Sequence, residues 1–180
     1  MHILSGSFKG RPLKSPKGDA TRPTLAKVRG AVFDMFGPLI HEMTMLDLFA
    51  GSGAMGFEAL SRGASHITFI EKHPLATRAI LQNIEALNVK DTTTLLRADC
   101  TSALKRLEKH SFDFIYVDPP YELDISLLLK PLAQLLNPQG YLFIEQSKRK
   151  GPRFGPLKEI LEELPPKSFG DTILYRFTQK

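Results

Sequence analysis

Met43-Thr44-Met45-Leu46-Asp47-Leu48-Phe49-Ala50-Gly51-Ser52-Gly53-Ala54-Met55-Gly56 is the stretch from which the fold is read. Residues 43–49 form a short, mainly apolar run, the pattern of a buried strand. Gly51, Gly53 and Gly56 then follow at G-x-G-x-x-G spacing, and residues 54–62 read as a helix closed by Gly63. Glycines between a strand and a helix let the backbone turn sharply and pass close to a ligand. A tight turn with no ligand has the same signature, so the glycines alone do not decide function.

Working outward, strands and helices alternate. Strands are expected at 66–70, 92–96, 112–117 and 141–144, with helices at 74–87, 101–109, 125–136 and 157–164. The 74–87 segment places Ala76, Ala79, Ile80, Ile84 and Leu87 on one face. A terminal hairpin is expected over 169–177, turning at Gly170-Asp171. Strands separated by helices of about 10–15 residues imply βαβ units, hence an α/β fold with a parallel sheet covered on both faces. In such sheets ligands sit at the carboxyl ends of the strands.

Upstream, residues 24–36 read as a helix that Pro23 starts and Gly37-Pro38 ends. Residues 1–22 read as a separate basic extension, with short strands at about 1–8 and 10–15 around Lys9-Gly10; 23–180 form the α/β domain. The chain of 180 residues carries a net charge of +5, yet residues 1–30 alone hold seven Lys and Arg against Asp19, so the remainder sums to −1. A basic leader on a near-neutral body suggests a polyanionic partner that touches the leader. A solvated tail is the alternative, but Ile3, Leu4, Phe8 and Leu13 are apolar residues that a tail does not need.

The rest of the composition is that of a globular protein. No apolar run approaches the roughly 20 residues that span a bilayer, and the first residues lack a signal-peptide layout. The single cysteine, Cys100, excludes an intrachain disulfide and suits a reducing cytoplasm. The five histidines are scattered, so no metal site is expected.

Chemistry is expected just after each strand. Glu71, after the second, could accept hydrogen bonds from ribose hydroxyls, or simply be a helix N-terminal acid. Asp99, beside Cys100 after the third, could accept from an adenine amino group or cap the next helix. After the fourth comes Asp118-Pro119-Pro120-Tyr121, a string expected by chance in about one chain in a thousand. Two prolines stiffen the chain as it leaves the strand and offer carbonyl acceptors without competing N–H donors. Asp118 adds a carboxylate and Tyr121 a ring face, so the group this corner suits is a flat heterocycle bearing an NH2. An exocyclic base amino group is a poor nucleophile because its lone pair is drawn into the ring. Acceptors at its N–H groups return that lone pair and stabilise the positive charge that develops as the nitrogen attacks a sulfonium methyl. A stacked base must also leave its stack, and an aromatic holds it once out.

With these residues in view, the chain resembles the class I, S-adenosylmethionine-dependent methyltransferases, and more closely the RsmD-type 16S rRNA guanine-N2 methyltransferases. The resemblance rests on Gly6 to Arg11, Arg22-Pro23-Thr24, Val32-Phe33-Asp34, Leu46 to Ala54, Glu58 to Ala64, Asn83 and Asp118 to Tyr121. It implies a Rossmann-like three-layer sandwich with a mostly parallel seven-stranded sheet, the last strand antiparallel. It implies S-adenosylmethionine held by Asp47, Phe49, Ala50, Gly51, Ser52, Gly53, Glu71, Asp99 and Cys100, and a catalytic loop of Asp118, Pro119, Pro120 and Tyr121. The implied partner is a guanine of 16S rRNA, presented on the small ribosomal subunit or its assembly intermediate to a monomeric enzyme. Lys9, Arg11, Lys14, Lys17 and Arg22 of the leader would then grip RNA phosphates. The family usually has Asn where this chain has Asp34, so Asp34 receives no role. Lys148-Arg149-Lys150 and Arg153 would either line the same groove or form an ordinary charged loop.

Three rivals were weighed. A DNA adenine-amino methyltransferase would use the same loop but usually needs a larger base-reading region. A nicotinamide oxidoreductase leaves Asp118 to Tyr121 unexplained. A non-catalytic rRNA-binding assembly factor has no need for intact strand-end motifs.

Overall fold

The computed structural model describes residues 1–16, 23–120, 122–149 and 154–180. Seven strands form one sheet: β1 (Thr44–Leu48), β2 (His66–Ile70), β3 (Thr93–Leu96), β4 (Phe112–Val117), β5 (Leu136–Ser147), β6 (Leu161–Phe169) and β7 (Thr172–Gln179). Their order is β3-β2-β1-β4-β5-β7-β6, and β7 runs antiparallel to both of its neighbours. The helices are α1 (Pro23–Phe36), α2 (Ala54–Ser61), α3 (Pro74–Leu87), α4 (Cys100–Leu104), α5 (Leu129–Leu135) and α6 (Gly155–Lys158). They cover both faces of the sheet, giving the expected three layers. Among the described residues no helix is long and apolar enough to cross a membrane.

Each face of the sheet has its own core. Leu46, Leu48, Ile115, Val117 and Ile144 pack against Leu104, Leu129 and Leu132 on one side. Met45, Ile67, Phe69, Phe114 and Phe143 pack against Val32, Phe33, Phe57 and Ile80 on the other. Strand residues alternate between the two cores because successive side chains point to opposite faces.

Three expectations need correction. The helix expected at 157–164 is a single turn, α6, after which the chain enters β6. Leu161 and Leu164 suggest helical spacing, but β7 supplies a pairing edge that isolated spacing does not reveal. Pro165-Pro166 sit at the outer edge of the sheet, where the β6–β7 register shifts between Leu164 and Lys167. The helix expected at 101–109 ends at Leu104: Arg106 and Leu107 N–H donate only three residues back, to the Ala103 and Leu104 carbonyls, so the chain tightens into turns. The leader is a hairpin of a single bridge, His2 with Pro12, rather than two strands.

The leader's polar groups are committed to the body of the protein, which is why its own pairing is so short. Leu4 and Ser5 N–H donate to the Glu58 carboxylate at 2.8 and 3.1 Å. Arg29 Nη2 donates to the His2 carbonyl at 2.8 Å, and the Ser61 hydroxyl accepts from Phe8 N–H at 2.9 Å. Asn83 of α3 accepts from Lys14 N–H at 2.7 Å and donates to the Lys14 and Ser52 carbonyls, clasping the leader to the glycine turn. Ile3 and Leu13 are buried. At Gly6 (φ 82°) a Cβ would lie 1.7 Å from the Ser61 carbonyl oxygen, so the leader approaches α2 as only glycine allows. The boundary expected at residue 22 lies outside the described residues.

Glu58 and Arg29 are buried, 3.5 Å apart at the nearest charged atoms, and Glu58 also accepts from Arg62 Nε at 2.9 Å. Removing one partner of such a pair strands the other charge, at a cost of about 3–5 kcal/mol. Glu58→Ala is therefore expected to lose about that much unfolding free energy by urea denaturation, and Arg29→Met in the same chain to restore part of it.

Candidate active site

The turn after β1 holds its shape through the residues that the sequence singled out. Phe49 lies at φ 64°, a left-handed conformation uncommon outside glycine, followed by Gly51 at 56° and Gly53 at 77°. The glycines divide their tasks. A Cβ at Gly56 would lie 2.3 Å from Phe69 Cε1, so this glycine lets α2 pack on the sheet, whereas the space in front of Gly51 is open. Asp47, buried in β1, accepts from Gly56 N–H at 3.1 Å and ties strand to helix. Glu71 accepts from Gly51 N–H at 2.8 Å and from His73 N–H at 2.7 Å, bridging the ends of β1 and β2.

Asp47, Phe49, Gly51 and Glu71, though not Gly53 or Gly56, line one cleft of about 940 Å³ that runs from the glycine turn to Asp118, Pro119 and Pro120. Sheet register explains the convergence. Phe69, Asp47, Tyr116 and Phe143 are successive partners across β2, β1, β4 and β5. Glu71, Asp118 and Glu145 stand two residues beyond Phe69, Tyr116 and Phe143, so they project from the same face. Four adjacent strands thus each bring a carboxylate to one cleft.

Burial, more than mutual repulsion, raises three of these carboxyls. Burial holds Asp47 well above the usual carboxylate range; the Gly56 hydrogen bond opposes this, and the Asp118 and Glu71 charges add to it. Asp118 opens to the cleft on one side, but burial among protein on its others raises its carboxyl to about 6. Glu145 is 6% exposed, and burial raises it to about 7.

Asp99 and Cys100 line the same cleft. Asp99 caps α4 by accepting from Thr101 N–H at 3.0 Å, while its other oxygen pairs with Lys72 at 3.6 Å. Burial, and then the neighbouring Asp99, raise the Cys100 thiol, which suits a filler and not a nucleophile. Ser52 and Ala50 line the cleft and Phe49 packs its edge. Lys9, Arg11 and Lys14 are exposed on the leader, with Arg11 donating to the Ala86 carbonyl at 2.8 Å. Lys17, Arg22, Tyr121, Lys150 and Arg153 lie outside the described residues. Asp34 is exposed, pairs with Arg62 at 3.3 Å, and takes no part in the cleft.

Sequence reasoning missed Glu145, Tyr116 and Arg29 as cleft residues. For Glu145 the signal was present: it ends the fifth strand as Asp118 ends the fourth.

The fold and this strand-end cleft define a class I methyltransferase. The sequence profile of the family described as Conserved hypothetical protein 95 matches residues 1–178. YlbH of Bacillus subtilis is 38% identical over 153 residues, covering 82% of this chain and 83% of its own. Ribosomal RNA small subunit methyltransferase D of Haemophilus influenzae is 31% identical over 157 residues, covering 83% and 80%. The solved structure of Escherichia coli yhhF superposes with a TM-score of 0.84 at 25% identity, covering 100% of this chain and 98% of that one. The chain belongs to this family, the RsmD-type class I methyltransferases, whose methyl donor is S-adenosylmethionine. The cleft suits that donor: it has the volume for a nucleoside with room beside it, an open face at Gly51, and carboxylates that favour a sulfonium.

A raised carboxyl in the folded state destabilises the fold once it must ionise. Glu145 goes from an ordinary 4.5 to about 7 on folding, so the folded state binds the extra proton and stability falls as pH rises through that window. Glu145→Gln is expected to be more stable than the native chain above pH 7, by about 2–3 kcal/mol in urea titrations, and to match it near pH 4.5.

Proposed function

We propose that this enzyme methylates the exocyclic N2 amino group of a guanine in 16S rRNA, on the small ribosomal subunit or its assembly intermediate. The observation that carries the reading is the single cleft joining the Asp118-Pro119-Pro120 corner to the open glycine turn. A sealed corner would have left the prolines structural. The relatives named for methylation of ribosomal RNA support the RNA substrate.

The donor end falls to the glycine turn. Asp47, Phe49, Ala50, Gly51, Ser52 and Gly53 shape its floor, Glu71 faces the ribose, and Asp99 and Cys100 border the adenine. When bound, S-adenosylmethionine supplies a methyl carried on a sulfonium: the new N–C bond forms as the S–C bond breaks, leaving S-adenosylhomocysteine.

At the acceptor end, Asp118 and the Pro119 carbonyl accept from the amino group, and the Pro120 ring keeps the corner stiff. Tyr121 stacks on the extruded base. Asp118, with a pKa of about 6, is chiefly ionised at neutral pH and takes the proton that the methylated nitrogen releases. Alignment of amine and methyl group supplies much of the remaining acceleration. Acidic residues in the cleft repel phosphates, so the RNA backbone is held outside it by Lys9, Arg11, Lys14, Lys17 and Arg22.

The test is transfer of labelled methyl to small-subunit particles, naked rRNA and DNA, with the modified base identified. Label on guanine N2 of 16S rRNA is expected; label on adenine, or on DNA alone, overturns the reading. Asp118→Ala is expected to lower kcat by about 10²–10³-fold while calorimetric donor affinity stays within a few-fold. An Asp118→Ala chain that binds rRNA and still complements fully in cells would instead favour an assembly factor. RNA affinity is expected to fall with salt at a log–log slope of about −4, and Lys9, Arg11 and Lys14 changed together to Ala to flatten it by about 2.

A further inference from the structure

The inference concerns Glu145, which the methyl-transfer chemistry above does not use. It lies near the end of β5, pairs across to Leu174 of β7, and points into the cleft beside Asp118, Pro119 and Pro120. It also borders a recess of about 30 Å³ behind the proline corner, which Gln146 shares. Its side chain is more than nine-tenths buried and accepts no hydrogen bond among the described residues. Its oxygens are not among the buried atoms that lack a partner, so they reach the cleft, where no described side chain or backbone N–H serves them and a donor from outside can. Glu71, Asp99 and Glu122 share the cleft with Glu145, as do Arg29, Lys72 and Met1, which carries an amino terminus. Arg29 is already held by Glu58 and the His2 carbonyl.

The missing partner is therefore a donor that arrives with the substrate. We infer that Glu145 accepts a hydrogen bond from the ring N1–H of the target guanine and so selects guanine over the other amino-bearing bases. In guanine the ring nitrogen beside the amino group carries a hydrogen. In adenine and cytosine the ring nitrogen beside the amino group is an acceptor, and its lone pair would face the carboxylate. The register places Glu145 next to Asp118 along the sheet, as N1–H lies next to the amino group along the base edge. The two acids thus divide the edge: Asp118 serves the reacting amino group and Glu145 the neighbouring ring position. This rests on the guanine-amino reading above, which it extends to substrate choice.

The test uses the full chain and small-subunit particles carrying either guanine or 2-aminopurine at the methylated position, assayed at about pH 8.5, where Glu145, with its pKa of about 7, is ionised and cannot donate to a bare N1. 2-Aminopurine keeps the amino group but presents a bare acceptor at N1. The native enzyme is expected to prefer guanine by roughly 10³-fold in kcat/KM, because a site built around a hydrogen bond rejects the analogue that lacks it. Glu145→Met keeps the bulk but offers neither an acceptor to N1–H nor a donor to the bare nitrogen. It is expected to lose about 100-fold on guanine, lose little on 2-aminopurine, and bring the ratio below about 10. Donor binding by calorimetry verifies that the variant is folded. Equal losses on both particles, with the ratio unmoved, would overturn the role of Glu145 while leaving guanine methylation intact. A native enzyme that methylates neither particle, or that labels a different base, would remove the parent reading and this inference together.

Discussion

Four carboxylates at the ends of four neighbouring parallel strands are the constraint around which this site is built. Asp47, Glu71, Asp118 and Glu145 share one cleft because the sheet register leaves them no other face. Burial makes Asp47, Asp118 and Glu145 expensive to ionise. The protein tolerates this where a backbone donor intervenes: Gly56 N–H serves Asp47, and Gly51 and His73 N–H serve Glu71. Asp118 and Glu145 are left facing the cleft. A site of this kind attracts positive charge and N–H donors, which are what a sulfonium and a base edge provide, and turns away phosphate. In the proposed reading the acidic interior and the basic leader are complementary halves of one arrangement, with base inside and backbone outside.

The leader owes its place to buried polar contacts rather than to its own secondary structure. Arg29, Glu58, Ser61 and Asn83 lie on three different helices, and each reaches a leader backbone group. Asn83 holds both the leader and the Ser52 carbonyl of the glycine turn, so the two segments share one clasp. The rigidity this gives the turn matters, since Phe49, Gly51 and Gly53 all occupy left-handed backbone.

Much of this was legible in the sequence, for identifiable reasons. Strands at 66–70 and 112–117 and the helix at 74–87 match the structure because their apolar patterns are local and strong. The glycine turn, Glu71, Asp99 and Asp118 could be placed because ligand sites in parallel sheets follow strand ends, which requires only that the strands be found. Glu145 directly follows the 141–144 stretch expected as the fifth strand, so the strand-end rule could have found it; pairing with β7 carries that strand on to Ser147. Arg29 and Glu58 look like ordinary helix-surface charges until the leader folds over them. β6 was invisible for the same reason, since its strand character comes from β7 and not from its own residues.

The most direct measurement is a structure of the enzyme with S-adenosylhomocysteine and an RNA fragment containing the target nucleotide. The account predicts an extruded guanine whose amino nitrogen lies about 3 Å from an Asp118 oxygen and from the Pro119 carbonyl, facing the sulfur. A base seated elsewhere, with the proline corner filled by protein or by the RNA backbone, would contradict it.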